Sequence, residues 1–193
     1  MNFTIPAEQP AKRSDRKKDL YRLLVARSDV LAAREACELM LKVAPAFGDP
    51  LYVPLLSAIV VCYARPFTRN RPLGALPEKW RTFPDQRMQQ MHDALYKARS
   101  ELIAHSDMNA RQAKIVPPGF VLSEGGREMR SEGIGVQVTF YYFTLPMLRS
   151  VPALAHDLAR RLGSEIDRLV EELYGGMTLP NAPFALRIDD EGL

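Results

Sequence analysis

The stretch Ser14–Ala44, SDRKKDLYRLLVARSDVLAAREACELMLKVA, holds no glycine or proline and repeats apolar residues at helical spacing: Leu20, Leu23, Leu24, Val30, Leu31, Cys37, Met40, Leu41 and Ala44. It reads as one long helix, or as two abutting helices with Ser28 or Asp29 capping the second. Pro45 and the FGDP that follows end it. A helix of this length with one apolar stripe needs other helices to cover it, which sets the fold toward a helical bundle.

The rest of the chain supplies them. LYVPLLSAIVVCYA, Leu51 to Ala64, is apolar nearly all round, with Pro54 in a first turn that tolerates it. It is expected to be the central, most buried helix, and it is too short to span a bilayer. RPFTRNRPLGALPEKWRTFP is then a long proline-punctuated loop. Thr82, three residues before Asp85, resembles a capping box opening the helix PDQRMQQMHDALYKARSELIAHSD. AKIVPPGFVL reads as two short strands about a Pro-Pro-Gly turn, and IGVQVTFYYF alternates as a further strand, the two forming a small antiparallel sheet. SEGGREMRSEG between them reads as a polar excursion. The last long helix starts at about Leu145 or Val151 and runs to Tyr174, with Leu148, Val151, Leu154, Leu158, Leu162, Ile166, Leu169 and Leu173 in one stripe. The expected organisation is mainly α. A flexible N-terminus, 1–13, precedes one domain, 14–175, of four to five helices with a strand excursion at 113–143, and an irregular tail, 176–193, follows.

Composition bounds the function. With 193 residues, 47% hydrophobic and 25% charged, the chain has the make-up of an ordinary globular domain. Its two cysteines, Cys37 and Cys62, lie in separate apolar helices with no CxxC spacing, and three histidines without clustered carboxylates argue against a metal enzyme. MNFTIPAEQPAKR has neither a signal-peptide nor a membrane-span pattern, so the expected setting is the reducing cytoplasm, with no membrane contact. No GxGxxG, Walker loop, HExxH helix or Ser-His-Asp order is present. Residues 1–71 carry twelve Lys/Arg against seven Asp/Glu, while the chain ends in RIDDEGL. A basic half of this kind suits either a solvated surface or a polyanion such as RNA.

The chemistry concentrates in the third helical region. Its stripe is Met88, Met91, Leu95, Ala98 and Leu102, and the next step of three lands on His105, with His92, Tyr96 and Arg99 flanking it. A histidine at such a position is either packing or a proton carrier; an arginine beside it either reaches water or holds a phosphate through its planar fork. On an ideal helix Arg99 and His105 stand about 9 Å apart along the axis and roughly 120° apart around it. They do not share a face, so a joint site requires a substrate lying across the helix end, or a symmetric dimer that pools two such ends. The loop residues Arg65, Arg69, Asn70 and Arg71 have the composition to grip a phosphate backbone, with Tyr63 near them and Tyr96 on the helix as aromatic partners.

RSELIAHSD, with arginine and histidine separated by five residues, resembles the motif of the HEPN superfamily, the higher eukaryotes and prokaryotes nucleotide-binding domains. In organisation the resemblance covers residues 15–175; its distinctive residues lie between 63 and 107, in YARPFTRNRPLGALP and MHDALYKARSELIAHSDM, which look most like the abortive-infection and toxin branch. The resemblance implies a HEPN-like helical bundle and a metal-independent endoribonuclease of toxin-antitoxin or defence type. It further implies a homodimer that needs no cofactor, with RNA as substrate and an antitoxin as partner. Arg99 would hold the scissile phosphate, and His105 would assist the ribose 2'-OH or protonate the leaving oxygen. The position after the motif arginine, commonly Asn or Asp in the family, is Ser100 here, whose hydroxyl can bond a phosphate or orient Arg99. The alternative within the same family is a non-catalytic module binding nucleotide, RNA or protein as a scaffold.

Overall fold

A computed structural model describes residues 10–45, 49–69, 73–99, 111–124, 127–140 and 143–187. It is mainly helical, with strands only between the third long helix and the last, as the patterning predicts. Helix α1 spans Pro10–Val43 and is unbroken through ARSDV, so of the two readings of Ser14–Ala44 the single helix holds. The reason is packing. Leu20, Leu23, Ala26, Val30, Ala33, Cys37 and Met40 are all buried at steps of three and four, one continuous seam that a break at Ser28 or Asp29 would throw out of phase. Leu24, counted in the apolar set, lies off that seam and is exposed. The helix begins inside the segment read as a flexible N-terminus, and the Arg13 guanidinium donates to the Leu173 carbonyl.

The seam of α1 packs chiefly on α5, Val151–Tyr174, whose predicted stripe is buried at every position from Val151 to Leu173. The two run antiparallel: Arg16 near the start of α1 pairs with Glu172 near the end of α5, and the Cys37 thiol donates to the carbonyl of Leu148 just before α5 begins. Leu148 belongs to a one-turn helix α4, Leu145–Leu148, so the two candidate starts of the last helix are two separate elements.

Helix α2, Tyr52–Ala64, covers another side of α1. It is not the all-round core helix its composition predicts. Tyr52, Leu56, Ile59, Val60, Tyr63 and Ala64 face inward, whereas Leu51 just before it and Val53 in its first turn are about half exposed. The core is centred on the α1–α5 seam, and composition alone cannot tell a helix buried on one face from one buried on both. Helix α3, Gln86–Ala98, packs against α2 and α5. Its N-cap is Asp85 itself, whose carboxylate accepts from the backbone N–H groups of Arg87 and Met88; Thr82 is not the cap. The helix is described as far as Ala98, and the rest of the predicted helix, 100–107, lies outside the described residues.

The expected small antiparallel sheet between AKIV and GVQVTF is present, but the strands flanking the Pro-Pro-Gly turn find other partners. β1, Arg111–Val116, and β2, Val121–Glu124, do not pair with each other across Pro117-Pro118-Gly119. β1 pairs antiparallel with β4, Gly135–Phe140, and β2 with β3, Arg127–Arg130. The polar SEGGREMRSEG is therefore half strand rather than excursion. Hydrogen bonds between Gly119 and Ser131 and between Ser131 and Phe120 join the two ladders into one long two-stranded arm. At its base, the Tyr52 hydroxyl donates to the Phe143 carbonyl and ties the returning chain to α2.

Candidate functional site

The segment between α2 and α3 is a strap over the helices rather than a free polar loop. Two 3-10 turns, Arg65–Phe67 and Glu78–Trp80, interrupt it, and Phe67, Leu76, Trp80 and Phe83 are buried beneath it. Four apolar anchors, each contributing about 1.5–3 kcal/mol when fully buried, offset the ordering of so many prolines and arginines.

Those anchors meet α3 around His92. The imidazole is 2% exposed, against its expected place beside the stripe. Phe67 stands edge-on at 4.8 Å, Phe83 lies at 5.3 Å and Tyr63 at 5.8 Å between ring centroids. The Tyr63 hydroxyl and His92 Nδ1 are 2.9 Å apart, one hydrogen bond between two buried groups. Desolvation chiefly, with Arg81 adding to it and Asp93 opposing, holds His92 below the ordinary histidine range; desolvation and Asp93 push Tyr63 well above the ordinary tyrosine range. Both are neutral near pH 7. Enclosed on all sides, the pair specifies the packing of α3 on α2 and is not placed to meet a substrate.

Tyr96 follows one turn later, half-buried. Its ring lies parallel to His92 at 6.4 Å, and the Arg81 guanidinium sits over it at 5.0 Å while donating to the Phe67 carbonyl. A base stacking on Tyr96 would have to displace Arg81. Arg99 forms the C-cap of α3, its backbone N–H bonded to the Leu95 carbonyl, and is half-buried. Three residues apart, Tyr96 and Arg99 are neighbours on the helix surface. A cation in this last turn is favoured by the helix dipole. Ser100 and His105 lie outside the described residues, as do Asn70 and Arg71.

The strap arginines divide. Arg65 pairs with Asp29 of α1 at 2.8 Å; burial raises the Asp29 pKa and Arg65 opposes it. That contact ties the end of α2 to α1, the role of an arginine covering a helix end. Arg69 is exposed. His156 is exposed on α5, as its position off the stripe predicts.

Sequence reasoning missed a second cationic cluster. The turn Glu78–Trp80 lies against α5 and borders an open groove of about 470 Å³, lined among others by Lys79, Trp80, Arg160, Arg161, Glu165 and Arg168. Arg161 is structural: it donates to the carbonyls of Thr82 and Lys79 and lies over the rings of Trp80 and Phe83. Arg160, Arg168 and Lys79 are largely exposed, paired with Asp157 or Glu165. Arg168 also bonds Glu172, and its hydrogen bond is the main reason Glu165 titrates below the usual carboxylate range. The available signal was the seven-residue spacing of Arg161 and Arg168, two helical turns on one face of α5.

Among the described residues no group of three or more His, Cys, Asp or Glu is arranged to hold a metal ion, and no helix is long and apolar enough to cross a membrane. Cys37 is buried, its thiol pushed up to about 11 mainly by desolvation, and Cys62 is half-buried. Compared with known proteins, the chain matches no family model, no curated protein and no solved structure, and the reading of the site rests on its own residues and geometry.

Proposed function

We propose that the chain is a metal-independent endoribonuclease of HEPN type, an RNase-like toxin or defence protein that cuts RNA in the cytoplasm at a cleft between two copies. Arg99, Ser100 and His105 carry the reaction. Arg99 holds the scissile phosphate; His105 assists the 2'-OH in its attack on phosphorus or protonates the departing 5'-oxygen; the P–O5' bond breaks and the products end in a 2',3'-cyclic phosphate and a 5'-hydroxyl. Electrostatic stabilisation by a fixed guanidinium is worth several powers of ten in such a step.

The observation that carries the reading is the position of Arg99. It is half-buried at the C-terminal end of α3, next to Tyr96, on a helix held at its other end by the Asp85 cap and the aromatic box around His92. A helix fixed in this way can present a guanidinium in a defined place, which phosphate positioning needs. The test is cleavage of a mixed-sequence RNA in EDTA. Wild type is expected to cut and leave cyclic phosphate ends, while His105→Ala and Arg99→Ala lose at least roughly a hundredfold in rate with unchanged melting temperature. Equal activity in His105→Ala would refute the reading.

The groove between Glu78–Trp80 and α5 favours a second reading, a module that binds RNA without cutting it, since exposed Lys79, Arg160 and Arg168 track one face. It predicts retention of RNA by wild type and by His105→Ala alike, salt-dependent and weakened in Arg160→Gln/Arg168→Gln.

A further inference from the structure

The β arm carries the most exposed large apolar side chains among the described residues: Ile115 at 70%, Val136 at 72% and Ile134 at 78%. They are contiguous. Ile115 and Val136 are directly opposed in the β1–β4 ladder, and Ile134 stands two residues before Val136, just ahead of the strand. Exposed Phe120 and Val121 lie further out on the arm. The alternate register positions of the ladder are held by the polar residues Gln112, Lys114, Gln137 and Thr139, with buried Val116 at their end. A ladder normally turns its apolar face to the core; here the strands pair with one another far more than with the helices, and that face is open.

The geometry points to a second copy of this chain as what covers it: two arms stacked through their apolar faces about a two-fold axis. Three observations select that occupant. The exposed side chains present about 400 Å² per copy, and a two-fold pair with Phe120, Val121 and flanking backbone reaches on the order of 1,000 Å², the lower limit of a specific interface. The patch, Ile115, Ile134 and Val136 with Ala113 beside them, is uncharged, so it offers nothing to a polyanion or an acidic peptide. Arg111, at the next register position of the same face, stands at the other end of the ladder, so a two-fold contact centred on Ile115 and Val136 opposes no like charges within the patch, the self-complementarity such a contact requires. β4, GVQVTF, also lacks the charges and prolines that keep an exposed strand solitary, whereas β1 carries Arg111 and Lys114. A two-stranded ribbon is marginal in water by itself, and stacking gives it the second layer it lacks.

This contact is separate from the α3 end and stands whether or not RNA is cut. Sedimentation of the full chain from about 1 to about 200 µM is expected to show a reversible doubling of mass, from monomer to dimer or, where the α3 ends are already paired, from dimer to tetramer, with Val136→Lys weakening that step at least roughly tenfold and Val136→Ile preserving it. Circular dichroism checks that each variant is folded. In parallel, Ile134→Cys is expected to form an intermolecular disulfide on mild oxidation, and Lys114→Cys, on the polar face, is not. A mass that does not change with concentration, Val136→Lys doubling in mass like wild type, or Lys114→Cys cross-linking as readily as Ile134→Cys would each overturn the proposal.

Discussion

Removing the Tyr63 hydroxyl tests the buried pair at the heart of α3 packing. In Tyr63→Phe, His92 Nδ1 loses its partner at 2.9 Å in a site that is 2% exposed, where water cannot replace it. A buried polar atom left without its hydrogen-bond partner costs about 1–3 kcal/mol. His92→Phe orphans the tyrosine hydroxyl instead, at similar cost, and adds strain because a phenyl ring is larger than an imidazole and Phe67 already stands 4.8 Å away. The double variant removes both polar groups, so only the strain remains. That strain is common to His92→Phe and the double variant and cancels in the cycle, leaving a coupling equal to the two orphaning costs together, about 2–6 kcal/mol. In urea unfolding the Tyr63→Phe midpoint is expected to fall by about 1 M, with the slope unchanged. Additive effects, with a coupling under about 0.5 kcal/mol, would refute the hydrogen bond.

The same pair predicts a pH dependence. His92 titrates below its unfolded value near 6.5 because burial disfavours the imidazolium. Between the folded and unfolded values the unfolded chain binds more protons on this residue. Its contribution is therefore complete above about pH 6.5, declines as pH falls below that, and levels off under the folded value. His92→Phe is expected to remove this part of the slope while leaving acid unfolding driven by carboxylates in place. An unchanged slope between about pH 7 and pH 5 would show that His92 is already accessible to protons in the native state.

Two further perturbations are local. Ala44 closes α1 at φ 43°, its N–H bonded to the Met40 carbonyl, a left-handed position that glycine adopts without strain; Ala44→Gly is expected to raise stability by about 0.5–1 kcal/mol in urea unfolding, and a loss would contradict this cap geometry. Arg161 pins the strap through two carbonyls and lies over Trp80, the only tryptophan of the chain and 6% exposed; Arg161→Gln is expected to cost about 1–2 kcal/mol and to shift tryptophan emission to the red as Trp80 becomes hydrated, whereas an unshifted spectrum would assign the anchoring to the apolar contacts alone.

The long helices were legible in the sequence because of their apolar stripes, and the stripe from Leu148 of α4 through Val151 to Leu173 of α5 is buried at every position predicted. Three features were not legible, for different physical reasons. Periodicity gives the buried face of a helix but not how many neighbours it meets, so α2 looked more central than it is. Strand patterning gives the face of each strand but not its partner: Pro117-Pro118-Gly119 looked like a hairpin turn between β1 and β2, and the pairing is settled instead by the closure of β2 with β3. The burial of His92 depends on Phe67 and Phe83, which reach it from a strap whose prolines and arginines advertised only a loop. Of the candidate site, Tyr96 and Arg99 are adjacent on α3 as their spacing predicts, while Arg65 is engaged with Asp29. Pairing of that kind joins residues 36 apart and leaves no local signature.

These features bear on what α3 can do. Its first turn is capped by Asp85, and the Phe83 backbone N–H is bonded to the Gln89 side chain. Its middle is locked by the Tyr63–His92 pair and the rings around it. Arg99 stands about 10 Å further along the axis by ideal helix rise, two turns beyond the last of these restraints. The arginine is thus carried on a rigid rod, and its neighbours Leu95 and Ala98 are fully buried, so the direction in which it leaves the helix is set by the core. A residue selected only for packing at a helix end needs no such support, whereas one that must hold a phosphate within a few tenths of an ångström does. The discriminating pair is therefore Arg99→Lys and Tyr63→Phe. If Arg99 positions a phosphate, the lysine variant keeps stability and loses cleavage because it lacks the planar fork. The Tyr63→Phe variant, assayed well below its melting temperature, loses cleavage only in proportion to how far α3 shifts. If Arg99→Lys instead cleaves as wild type does, the guanidinium is packing, and the phosphate must be held elsewhere.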